Sequence, residues 1–153
     1  MSDHRLSKVA LDGSLQPGSP EVEHERQVAI FDLIEKNSFQ PDGAQRGPYQ
    51  LMLGCEENRL VLDIEGPEFA RRHMLSMTPF KTLLKDYQTV CESYYEAVRG
   101  ASPSQIEAID MGRRGLHNEG AQLLMDRLDG KIAMDHETAR RLFTLVNALQ
   151  RGR

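Results

Sequence analysis

The stretch YQLMLGCEENRLVLDIEGPEFARRHMLSM (residues 49–77) decides the fold class. One side-chain set in it recurs at every second position: Tyr49, Leu51, Leu53 and Cys55, then Leu60, Leu62 and Ile64, then His73, Leu75 and Met77. Successive side chains on a strand point to opposite faces, so each run reads as a strand with one face buried. Glu56-Glu57-Asn58 is short enough for a hairpin, and Gly66-Pro67 punctuates the second turn. Parallel pairing would need a crossover of about a dozen residues or more, for which there is no room. The stretch therefore predicts an antiparallel meander.

Upstream, Leu6 to Leu11 reads as a first strand, followed by a loop through Asp12-Gly13 and Pro17-Gly18. Ser19-Pro20-Glu21 then opens a helix: a capping hydroxyl, a proline whose missing N–H costs nothing at the first position, and an acid facing the positive end of the dipole. The helix should reach about Lys36, with Val22, Ala29, Ile30, Leu33 and Ile34 inward and Glu23, Glu25, Arg26 and Gln27 outward. Downstream, Thr78-Pro79 repeats the start signal, and Phe80, Leu84, Tyr87, Cys91, Tyr94 and Val98 recur at three- and four-residue steps. Gly100 suits the end of that helix, and Ser102 to Gln105 has capping-box spacing for the next. Asp135 caps a last helix with Ala139, Leu142, Phe143, Val146 and Leu149 on one face. The expected architecture is one α+β domain over residues 1–153 in the order β-α-β-β-β-α-α-α: the meander, an N-terminal strand and four main helices.

Composition bounds the function classes. The chain of 153 residues is 39% apolar and 27% charged, too rich in large apolar residues for a disordered chain. Its net charge of -4 argues against nucleic acid as a partner, since counterion displacement needs an electropositive surface. No run approaches the roughly 20 apolar residues of a membrane span, and Met1 to Arg5 lacks the pattern of a signal peptide, which places the chain in the cytoplasm. Cys55 and Cys91 form neither a disulfide framework nor a metal-binding pair, and read as buried thiols expected to stay reduced. His117-Asn118-Glu119 matches the H-x-E element of zinc deaminases, but no cysteine follows Cys91 to complete such a site. No metal site or cofactor is expected.

The anomaly is Asp110-Met111-Gly112-Arg113-Arg114-Gly115-Leu116-His117-Asn118-Glu119-Gly120, three glycines inside a helical pattern. Each costs roughly 1 kcal/mol relative to alanine in a helix interior. Three readings remain open. Ala108, Gly112 and Gly115 could form a smooth strip for close approach of another backbone. The helix could break near Gly115, with Asn118 capping a new start. Or Arg113, Arg114, His117, Asn118 and Glu119 could form an anion- or partner-binding site, Arg113 and His117 sharing one face and Arg114 and Asn118 the next. Tyr94 belongs to the packing stripe and only Tyr95 lies off it.

Four segments carry a family resemblance: VEHER (residues 22–26), CESYYEA (91–97), IEAIDMGRRG (106–115) and ARRLFTL (139–145). Through them the chain resembles the bacterial uncharacterised protein family (UPF) numbered two hundred and sixty-two, from the first strand to the last helix, departing only in the loops at 13–18 and 42–47. The resemblance implies a bacterial setting but no activity and no site residues. With no catalytic residue types at diagnostic spacing, the sequence favours a non-enzymatic binding or regulatory protein, with a protein partner or a small anionic ligand. The alternative is a small enzyme acting on an anionic or phosphorylated ligand, with Arg113 and Arg114 as clamps and His117 as acid or base. Convergence of Arg113, His117 and Glu119 in a concave pocket would favour the enzyme.

Overall fold

The computed structural model describes residues 3–151. Its elements run β1 (Leu6–Leu11), α1 (Pro20–Glu35), β2 (Phe39–Pro41), β3 (Tyr49–Glu56), β4 (Arg59–Gly66), β5 (Phe69–Ser76), a 3-10 turn (Thr78–Phe80), α2 (Lys81–Gly100), α3 (Pro103–Arg127), β6 (Ile132–Met134) and α4 (His136–Gln150). The meander forms as the alternation requires: Leu51 faces Ile64, Leu53 faces Leu62, and Leu60 faces Leu75 across antiparallel pairs. β1 completes the four-stranded sheet by pairing parallel with β3, giving the order β1-β3-β4-β5. That parallel pair is allowed because α1 supplies the crossover.

The alternation also sorts the two faces of the sheet. Leu6, Leu51, Leu53, Leu62 and Ile64 are buried in the core, whereas Lys8, Gln50, Glu65 and Arg72 are exposed on the other side. There Arg72 and Asp63, directly opposite across the strands, pair at 2.7 Å. A second sheet, β2 with β6, is antiparallel and was not anticipated.

Local capping chemistry sets the helix starts. The Ser19 side chain accepts from Val22 N, Asp135 accepts from Thr138 N, and Ser102 and Gln105 form the reciprocal capping box. Helix α3 is continuous, so the expected break near Gly115 does not occur: one unbroken hydrogen-bond ladder needs no second cap at Asn118. The smooth-strip expectation also fails. Gly112 and Gly115 are exposed, and a Cβ added at either would meet nothing closer than 4.0 Å. The close approach lies one turn on, where a Cβ at Gly120 would sit 2.4 Å from the ring of Phe143 in α4.

Arg26 departs most from expectation. Placed on the outer face of α1 by its charge, it is instead 2% exposed. Its Nε donates to Ala148 O at 3.2 Å, Nη1 to Gln16 O and the Glu23 carboxylate at 3.0 Å each, and Nη2 to Leu149 O and Arg151 O at 3.4 and 3.2 Å. The end of a helix leaves carbonyls without partners, and the guanidinium fork satisfies those of α4 while complementing the negative end of its dipole.

Candidate functional site

The four helices form an open arc: α2 packs on α3, α3 on α4 and α4 on α1, while no comparable contact joins α1 to α2. The gap is a cleft of about 490 Å³. Each helix contributes a line of side chains at helical spacing: Val28 and Asp32 from α1, Tyr87, Cys91 and Tyr94 from α2, Arg113 and His117 from α3, and Arg140, Thr144 and Asn147 from α4, with Arg151 at its C-terminal cap. Arg113, Arg114 and His117 all line it. Asn118 and Glu119 do not, because in a continuous helix they are turned away from the His117 face, and both are exposed.

Arg113 is anchored. Its Nε donates to Asp110 Oδ1 at 3.1 Å, Nη2 reaches the same oxygen, and its guanidinium lies 4.7 Å from the centre of the Tyr94 ring. Arg114 Nη2 reaches Asp110 Oδ2 at 2.9 Å with the side chain 68% exposed. Hydrogen bonding from Arg113 holds the Asp110 carboxyl below its ordinary range. One carboxylate thus serves two guanidinium groups and leaves a positive charge at this end of the cleft.

His117 is held as a neutral imidazole. Its Nε2 lies 2.9 Å from both Arg140 O and Thr144 Oγ1, and Arg140 Nη2 lies 3.2 Å from Nδ1. A carbonyl only accepts and a guanidinium only donates, which puts the single proton on Nε2 and the lone pair on Nδ1. Burial lowers its pKa, and the ring stacks on Tyr87 at 5.6 Å. Both nitrogens are thereby occupied.

Burial also pushes the Cys91 thiol up and the neighbouring Tyr87 hydroxyl up to about 12, so neither is an anion near neutrality. Cys91 is half-buried rather than enclosed, because the α2 stripe leaves the core after Tyr87. Tyr94 lines the cleft, and Val98 is 55% exposed. Among the described residues no three His, Cys, Asp or Glu side chains are grouped to hold a metal ion, and no helix is long and apolar enough to cross a membrane.

Sequence reasoning missed the contributions of α1 and α4. Arg140, Thr144, Asn147 and Arg151 recur at steps of four, three and four, a polar line beside the apolar face that drew attention. Val28 was visible as an apolar residue off the α1 core stripe.

The chain belongs to the Uncharacterised protein family (UPF0262), whose profile matches residues 3–152. It is 60% identical over 147 residues to a UPF0262 protein of Phenylobacterium zucineum, covering 95% of this chain and 92% of that one. A UPF0262 protein of Agrobacterium fabrum is 58% identical over 149 residues, covering 96% and 95%. One of Caulobacter vibrioides is 55% identical over 149 residues, covering 97% and 94%. No solved structure matches the chain.

Proposed function

We propose that this chain is a non-enzymatic binding protein of the cytoplasm, a single domain whose four-helix cleft receives a carboxylate- or phosphate-bearing group at Arg113 and Arg114. The observation that carries the reading is the pair of guanidinium groups sharing the single carboxylate of Asp110 at the mouth of a concave, aromatic-walled site. A guanidinium with N–H groups to spare presents a fork to an incoming anion.

Binding is better supported than catalysis. Arg113 and His117 share the concavity, but Glu119 lies outside it and both nitrogens of His117 are spoken for, which takes away the acid–base pair an enzyme would need there. The net charge of -4 speaks against nucleic acid as the anion.

The test is nuclear magnetic resonance of the arginine Nε–H groups during titration with citrate and with inorganic pyrophosphate. The reading expects saturable shifts confined to Arg113, Arg114 and Arg140. Shifts that are linear in anion concentration and uniform over all arginines contradict it.

A further inference from the structure

The cleft does not end at Arg151. A second concavity of about 860 Å³ shares Glu25, Cys91, Tyr94, Tyr95, Asn147 and Arg151 with the first, so the two make one groove running between α1 and α2. We propose that its occupant is an amphipathic α-helix of a partner protein, with carboxylates over Arg113 and Arg114 at one end and basic side chains over Glu92 and Glu96 at the other. The proposal rests on the binding reading above and names what is bound.

Three observations carry it. Both walls present large apolar side chains to solvent: Val28 on α1 is 45% exposed, and Tyr95 and Val98 on α2 are 70% and 55% exposed. These are three of the six exposed large apolar residues among those described, and they belong to the two helices that do not pack on each other. The groove is also charge-polarised. Arg113, Arg114 and Arg140 outnumber Asp32 at one end, Glu21, Glu92 and Glu96 outnumber Arg99 at the other, and the Glu25–Arg151 pair stands where the two concavities join.

The walls and floor are helices, moreover, and expose no sheet edge. An extended peptide would find no ladder for its backbone N–H and C=O groups, whereas a helix satisfies its own and needs only side-chain contacts at three- and four-residue steps. A second copy of this chain would set one concave surface against another.

The experiment uses the full chain and a fluorescein-labelled synthetic helix of about 18 residues, long enough to span five turns. It carries leucine at positions i, i+3, i+7 and i+10, glutamate in its first two turns and lysine in its last two. A control peptide keeps the leucines but carries lysine at both ends. Fluorescence anisotropy should show the glutamate–lysine peptide binding at least about tenfold tighter than the control. Arg114→Glu should reverse that preference, and Val98→Asp should weaken the peptide by about tenfold while leaving the pyrophosphate titration unchanged.

Equal affinity for the two peptides, or no saturable binding of either, overturns the helix proposal. So does a dimer seen by light scattering that Val98→Asp dissociates, since the groove would then hold a second copy. If pyrophosphate still saturates Arg113 and Arg114 while the peptides fail, only this inference falls. If both fail, the binding reading falls with it.

Discussion

Replacing Gly120 by alanine sets two effects of opposite sign against each other in one helix. Alanine gains about 1 kcal/mol over glycine from helix propensity anywhere inside α3. At Gly120 the new Cβ would lie 2.4 Å from two atoms of the Phe143 ring, which is 0% exposed and has no room to retreat. Overpacking of this kind costs about 1–3 kcal/mol, and a clash well inside van der Waals contact belongs at the upper end, so the net loss should be about 1–2 kcal/mol. At Gly115 nothing opposes the gain, and at Gly112 the nearest atom is a Val90 methyl at 4.0 Å, so Ala at either site should stabilise by about 0.5–1 kcal/mol. Urea unfolding followed by far-ultraviolet circular dichroism reads all three, with thermal midpoints moving about 2–4 °C per kcal/mol. Phe143→Leu in the Gly120→Ala background should return part of the loss. A neutral or stabilised Gly120→Ala would refute the α3–α4 packing, and a destabilised Gly115→Ala would refute the open face of α3.

Three further outcomes follow from particular side chains. Arg26→Met should cost about 3–5 kcal/mol in urea unfolding, because it strands buried carbonyls at the end of α4, and Arg26→Lys should recover only part with its three donors. Burial lowers the pKa of His117, and of His73 too, so the unfolded chain takes up protons more readily than the folded one. Stability should therefore decline as pH falls below about 6.5, and His117→Gln should flatten that decline without abolishing it, as read from unfolding midpoints between about pH 7 and 5. The Cys91 thiol, raised by burial, should label with Ellman's reagent more slowly in the native protein than in urea; equal rates would contradict its placement against Tyr87.

What the sequence could disclose was what depends on near neighbours. The meander is legible because period-two alternation is printed in residues 49–77, and the helix starts at Ser19, Ser102 and Asp135 are legible because a cap is a bond to a residue three positions on. The strands Phe39–Pro41 and Ile132–Met134 escaped because three residues give no periodicity to read, and they exist only by pairing with each other. Arg26 escaped for a related reason: three of its five partners are carbonyls more than 120 positions away, so a charge that locally belongs outside is drawn in. At the site, the four-residue spacing of Arg113 and His117 placed them together correctly on one face. The glycines around them drew attention to close packing that the structure puts at Gly120 instead. The rest of the cleft was hidden because each helix lends it a flank, and Tyr94, read as core from its place in the α2 stripe, lies beyond the point where that stripe leaves the core.

The central claim is that the cleft binds anions through Arg114 without depending on it for folding. The most direct measurement is the citrate titration repeated on Arg114→Ala beside a thermal melt of the same sample. Arg114 is 68% exposed and makes one ion pair, so the midpoint should stay within about 2 °C of the unsubstituted chain while citrate affinity falls about tenfold. Unchanged affinity for citrate in the substituted chain would contradict the account.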